Sequence, residues 1–222
     1  MLLQSPRLLD LFCGGGGCSV GYARAGFDVV GVDIAPQKNY PFEFHQDDAL
    51  EFLAEHGHTF DVIHASPVCK KYSVLANRYP DRIYPDSVGA VRTALIANGK
   101  PYIIENVPGA PLVNPLMLCG SMFGLRVYRH RLFECNLSLG LPPTPCQHKG
   151  KVSSNRHKRG AYIARTLANF DVLTVTGHDF VLADARVAMG IDWMNQADIS
   201  QAIPPAYTEW IGRQLIFNIE SV

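Results

Sequence analysis

The 222-residue chain has no apolar run approaching the roughly 18 residues that a membrane-spanning helix needs, so a span is excluded. It has no basic start followed by a long apolar stretch, so a secretory signal is not expected. Its six cysteines (Cys13, Cys18, Cys69, Cys119, Cys135 and Cys146) are too scattered for a disulfide-stapled mini-domain. That points to the reducing cytoplasm. Bulk charge is also missing: 20 basic residues face 20 acidic ones, which says nothing about partners. Internal repeats and low-complexity tracts are absent. With 47% hydrophobic and 18% charged residues, disordered and fibrous classes are excluded. The length suits one domain with a small appendage and a real core.

One absence is local. Between Cys135 and Phe170 there is no Asp or Glu, while Lys149, Lys151, Arg156, Lys158, Arg159 and Arg165 all fall there. A basic segment of this kind reads either as a footprint for a polyanion or as a solvated loop.

What is present is an alternation of short apolar runs and helical stretches. The runs are 7–13, 28–34, 60–66 and 101–107. They lack polar alternation, as strands buried on both faces do. Helices are expected over 19–25, 48–56 and 87–98, each stopping at a glycine or Asn-Gly. A last helix opens at Pro204-Pro205 and carries Tyr207, Ile211, Leu215 and Ile219 on one stripe. The pattern predicts a doubly wound, Rossmann-like α/β sheet, with the less periodic 135–180 region as an insert.

Residues 9–33 run strand, Gly-rich turn, helix, strand, acid. Phe12, Gly14 and Gly16 belong to an FxGxG turn that lets a ligand approach the backbone. Asp33 closes the next strand, 17 residues past Gly16, where it can accept from ribose hydroxyls. NAD and S-adenosylmethionine both suit such a loop, and the FxGxG register leans away from NAD. Asp48 suits an adenine amino group or, equally, a helix N-terminus. Cys69 follows a buried strand in a Pro-containing loop beside Lys70 and Lys71, and cations lower a thiol's pKa. Glu105 ends another buried strand, where burial raises a carboxyl pKa. Loop, acid, thiol and carboxylate thus share the carboxyl edge of one sheet, where open α/β sheets bind ligands. Cys13 sits in the cofactor turn, wrong for a substrate nucleophile. Cys18, Cys119 and Cys135 read as packing residues. Cys135, Cys146, His148 and His157 could be ligands of a small zinc site, but their spacing fits no standard pattern and no metal is assigned.

In their order these motifs resemble the cytosine-C5 DNA methyltransferases. LDLFCGGGG is similar to the family's cofactor motif, with Asp33 and Asp48 as its ribose and adenine acids. SPVCKKYS resembles the Pro-Cys nucleophile loop, Pro67 included. ENV at 105–107 matches the Glu-Asn-Val motif and RHRLFE at 129–134 the Arg-x-Arg motif. ARVAMGID at 185–192 and SQAIPPAYTEWIG at 200–212 resemble the last two motifs. The chain departs from the family at Val68, Lys70, Val127 and Ser200-Gln201. Its target-recognition region is also short, at about 50 residues, the size of a single small module.

The resemblance implies an S-adenosylmethionine-dependent enzyme that methylates C5 of a flipped cytosine in duplex DNA. It implies Cys69 as the nucleophile on C6, Glu105 as the acid at N3, and Arg131 at the O2 side with Arg129 supporting it or touching phosphate. Phe12, Gly14, Gly16, Asp33, Asp48, Pro67 and Gln201 would hold the cofactor. Lys70, Lys71, Lys149, Lys151, Arg156, Lys158 and Arg159 would contact DNA. The implied organisation is a catalytic core over 1–134, a basic recognition insert over 135–183 and a return to the core over 184–222. An RNA or nucleotide acceptor and a non-catalytic binding protein remain the alternative readings.

Overall fold

The computed structural model describes residues 5–69, 71–72, 86–153 and 165–220. The elements are β1 (Arg7–Leu11), α1 (Gly17–Ala25), β2 (Asp28–Asp33), β3 (Glu43–Gln46), α2 (Ala49–His56), β4 (Val62–Ala65) and α3 (Ser87–Asn98). They continue with β5 (Tyr102–Asn106), β6 (Leu116–Leu118), β7 (Arg131–Cys135), α4 (Leu182–Met189), α5 (Gln196–Gln201) and α6 (Pro205–Glu220). The seven strands form one sheet in the order β3-β2-β1-β4-β5-β7-β6. The first five are parallel, and β7 runs antiparallel between β5 and β6. This is the doubly wound α/β sheet the sequence predicts, with an antiparallel edge that the sequence did not announce. No described helix is long and apolar enough to cross a membrane.

Strand parity divides the core. Leu9, Leu11, Val30, Val32, Ile63, Ala65 and Ile104 face one way and pack with residues of α2 and α3. Leu8, Val29, Val62 and Ile103 face the other way and pack with Tyr22 of α1 and Tyr207, Ile211 and Leu215 of α6. Each fully buried aliphatic side chain contributes roughly 2 kcal/mol. Helices α1 and α6 approach closely at Gly21, where an added Cβ would stand 2.0 Å from Thr208 Oγ1 and 2.2 Å from the Pro205 carbonyl oxygen. Only glycine fits that crossing.

A third cluster joins Val127, Leu173, Val175 and Phe180 to Ala185, Ala188, Met189, Met194 and Ile199. The boundary drawn between 183 and 184 therefore runs through one shared core. The described part of the insert has little sheet ladder, only the single bridges Val127–Leu173, Val152–Val172 and Arg165–Phe180.

Candidate functional site

The chain reverses direction across the sheet at β1, which lies between β2 and β4. A crevice must open at such a switch point, outside the carboxyl ends of the strands. The turn after β1 lines it. Phe12 has φ 59°, a left-handed conformation that costs a non-glycine residue about 1 kcal/mol or more and tends to mark functional turns. Gly14 has φ 49°, and a Cβ placed there would meet nothing within 4 Å, so this part of the turn faces open space. Asp33, at the end of β2, accepts from Gly14 N (3.0 Å) and Ala35 N (2.9 Å), which locks the turn to the acid. Gly15 and Gly16 instead serve packing. An added Cβ at Gly15 would crowd Met194 and Asp198, and one at Gly16 would crowd Tyr40 and Pro41. Trp193 Nε1 donates to Gly15 O (2.8 Å).

Sheet parity places a second set of groups beneath α1. Asp10, His64 and Glu105 lie on three adjacent strands, on the face that α1 covers, and all are buried. Ser19 donates to Asp10 Oδ2, and Tyr40 donates to Ser19 Oγ (2.8 Å). Asp10 Oδ1 is buried with no hydrogen-bond partner among the described residues. Burial pushes the Asp10 carboxyl up to about 7. Tyr22 OH pairs with His64 Nδ1 (2.9 Å), and His64 Nε2 pairs with Ser66 Oγ (2.9 Å). Ser66 also acts on Glu105, lowering its pKa against the larger effect of burial. Burial holds His64 neutral by lowering its pKa to about 3. A chain of hydrogen bonds thus runs from α1 through His64 to Ser66, at the start of the loop that carries Cys69. Sequence reasoning missed Asp10, His64 and Ser66. The signal was available, since Asp10 and His64 are polar interruptions in otherwise apolar strands.

Glu105 is 6% exposed, and burial raises its pKa, opposed by the charge of Arg131. Arg131 Nε lies 3.0 Å from Glu105 Oε1. The register explains this contact. Glu105 pairs with Phe133, so Arg131 is two residues along on the neighbouring strand and on the same face. Asn106, on the opposite face, donates to Pro67 O (2.9 Å) and accepts from Val107 N (2.9 Å). That bond ties the loop carrying Cys69 to β5. Ser66 N donates to Leu11 O (3.1 Å), tying the same loop to the glycine turn. Cys69 is half-buried. Burial pushes the thiols of Cys13 and Cys18 far up, which removes them as thiolates. A cleft of about 210 Å³ lies beside the arginines, lined by Arg129, Arg131, Tyr128, Val175 and Thr176 among others.

Several expected roles change. Arg129 is buried, and donates to Val175 O (2.8 Å) and Ser200 O (2.8 Å), so it clamps backbone rather than phosphate. Burial and neighbouring Arg131 lower its pKa to about 9. Lys71 pairs with Asp86 (3.2 Å), so its charge is engaged there rather than held for the thiol or DNA. Asp48 is the N-cap of α2, its Oδ1 accepting from Leu50 N (2.8 Å) and Glu51 N (3.1 Å). Gln201 ends α5 and is exposed, while Trp193, Met194 and Asp198 meet the glycine turn. Arg165 is buried among the Thr174 and Thr176 carbonyls, so it adds nothing to a surface footprint. Lys149 and Lys151 are exposed. Lys70, Arg156, Lys158 and Arg159 lie outside the described residues, as does His157. Cys135 packs in the main core, whereas Cys119 joins His130, Cys146 and His148 in one cluster.

The fold is one shared with solved methyltransferases. A prophage-encoded candidate DNA modification methyltransferase of E. coli superposes with TM-score 0.62 at 16% identity, over 98% of this chain and 100% of that one. The Dnmt2 methyltransferase of S. pombe superposes with TM-score 0.57 at 14% identity, over 97% and 99%. The methyltransferase EhMeth of Entamoeba histolytica gives 0.56 at 11% identity, over 97% and 99%. Among curated proteins, a ubiquinone biosynthesis O-methyltransferase of Azorhizobium caulinodans is 32% identical over 127 residues, 48% of this chain. The match spans 50% of that relative's length. No family model matches the chain.

Proposed function

We propose that the protein transfers a methyl group from S-adenosylmethionine to C5 of a cytosine flipped out of duplex DNA. The observation that carries this reading is the joining of two loops. The loop bearing Cys69 is bonded to the strand of Glu105 through Asn106 and Pro67, and Glu105 is held by Arg131. A methyl acceptor with its own nucleophilic oxygen needs no thiol and no buried acid at these strand ends.

The residues fit the cofactor. Gly14 leaves open space, Asp33 stands at the end of β2, and the orphaned Asp10 Oδ1 lies beneath the turn. Ile34, beside Asp33, is 71% exposed and offers an apolar face to an adenine ring. When bound, S-adenosylmethionine supplies an electrophilic methyl group.

C5 of cytosine is a poor nucleophile. Addition of the Cys69 thiolate to C6 makes C5 enamine-like and splits one hard step into two easier ones. Negative charge then builds on the ring, and Glu105, whose raised pKa favours the protonated form, donates to N3. Arg131 stabilises charge on the O2 side and holds Glu105 in place. After methylation, the C5 proton passes to water, the N3 proton returns to Glu105, and elimination releases the Cys69 thiolate, which restores the ring. A stacked base offers neither C6 nor C5 to these groups, so the base must leave the duplex. The exposed Lys149 and Lys151 are available to phosphates.

The test is transfer of labelled methyl to duplex DNA, tRNA, free nucleotide and a phenolic acceptor in parallel. Duplex DNA should be labelled at cytosine C5. In DNA carrying 5-fluorocytosine the fluorine blocks the final elimination, so a denaturation-resistant adduct at Cys69 is expected. Cys69→Ala should abolish both signals while cofactor binding by calorimetry is unchanged. Label on another acceptor, or turnover by Cys69→Ala, would overturn the reading.

A further inference from the structure

Cys119 follows β6 and is buried, and His130 lies one residue before β7. Cys146 and His148 belong to the loop that leaves β7. Their spacing in the chain is C-x10-H-x15-C-x-H. No sequence pattern reveals this set, because the β6–β7 pairing sets Cys119 beside His130 and the loop leaving β7 returns Cys146 and His148 to them.

Their four ligand atoms all lie within 4.8 Å of one another. Cys119 Sγ is 3.5 Å from His148 Nε2, Cys146 Sγ is 3.3 Å from His148 Nε2, and Cys146 Sγ is 3.5 Å from His130 Nε2. A tetrahedron with zinc–sulfur bonds of about 2.3 Å and zinc–nitrogen bonds of about 2.0 Å has sulfur–nitrogen edges of about 3.5 Å. The surroundings hold these atoms in place. Tyr128 stacks on His148, with ring centroids 4.1 Å apart and planes 11° apart. Ser121 Oγ lies 3.3 Å from Cys119 Sγ and accepts from Gln147 N (3.2 Å).

We propose that Cys119, His130, Cys146 and His148 form a structural zinc site. Two thiolates cancel the charge of the dication, so the complete site is neutral where it is partly buried. Two sulfurs and two imidazole nitrogens in this geometry select zinc over the hard cations. Four protein ligands close the coordination sphere, which makes the site structural. The exposed His148 marks the entry path.

The site has a place in the architecture. His130 stands between Arg129 and Arg131, and side chains alternate along extended backbone. Metal bound on one side would fix the segment from which both arginines project on the other. It would also pin the first leg of the insert to the sheet edge.

The test uses the full chain, expressed with zinc and purified without chelator. Elemental analysis should find about one zinc per chain. Cobalt added to the metal-free protein should give the visible bands of a tetrahedral thiolate-imidazole site. Cys146→Ser and His148→Ala should weaken cobalt binding at least tenfold, and Cys135→Ser should leave it unchanged. Chelation should lower the melting temperature and expose 136–153 to protease. Should Cys146→Ser fail to fold, cobalt titration of the unaltered chain decides alone. Folded protein that carries no zinc and gives no cobalt bands would overturn the site, as would an intact mass showing a Cys119–Cys146 disulfide. None of these readouts depends on methyl transfer, so the site and the proposed reaction fail separately.

Discussion

The first hundred residues and the segment around 120–202 are built by different physics. The first region is a parallel ladder with apolar side chains on both faces, and its few buried polar groups, Asp10, Ser19 and His64, lie on the face covered by α1. The second has little ladder. There, arginines reach into backbone carbonyls, Arg129 and Arg165 from buried positions and Arg126 from the surface. Arg126 donates to Asp171 O, Phe170 O and Leu167 O, Arg129 to Val175 O and Ser200 O, and Arg165 to Thr174 O and Thr176 O. Backbone oxygens that a sheet would satisfy are satisfied here by guanidinium forks. Positive charge among the described residues of this stretch therefore has two uses: Arg126, Arg129 and Arg165 bind backbone, while Lys149 and Lys151 stand exposed, Lys151 over the Phe170 ring.

The sharpest way to break the comparison is through the sheet-borne site. Glu105→Gln removes a proton donor and leaves the shape, so turnover should fall roughly a hundredfold with little change in melting temperature. Single-turnover methyl transfer measures it, and an unchanged rate would mean that another group supplies the proton.

In the second region the same kind of substitution should act on stability. Arg165→Met leaves two carbonyls without donors and should cost about 2–4 kcal/mol. Denaturant melts and protease cleavage within the insert report it, and cofactor binding should survive. The exposed Arg213–Glu209 pair on α6 is the control, since Arg213→Gln should shift stability by less than about 0.5 kcal/mol. Equal effects would erase the distinction between structural and surface arginines.

A pH dependence is also expected in the first region. Asp10 titrates at about 7 in the fold, far above an ordinary carboxyl. Between about pH 4 and 7 the folded state holds a proton that the unfolded state has lost, so stability falls as pH rises through that window. Asp10→Asn removes this penalty. Its melting temperature relative to the unaltered chain should rise from pH 5 to pH 8 and then level off. A difference independent of pH would show that Asp10 carries no ionisation penalty.

The legibility of the molecule follows the same divide. Strands β1, β2, β4 and β5 were readable because burial on both faces leaves unbroken apolar runs. Helix α6 was readable from Tyr207, Ile211 and Leu215, all fully buried. Strands β6 and β7 were not, because β6 is three residues long and β7 carries Arg131 and Glu134 for partners that the sequence does not show. Arg131 meets Glu105, and Arg92 meets Glu134 at 2.7 Å. Asp48 shows the limit of motif reading, since the same carboxylate that suits an adenine also caps a helix.

The sequence by itself determined the doubly wound sheet, the glycine turn with its acid, and the candidacy of Cys69 and Glu105. Those features depend on local periodicity and on residues near in the chain. The tertiary structure alone decided which cations are buried, that Arg131 meets Glu105, and that Cys119 belongs with His130, Cys146 and His148. Such contacts join residues tens of positions apart, and strand register, not spacing, sets the distance between them.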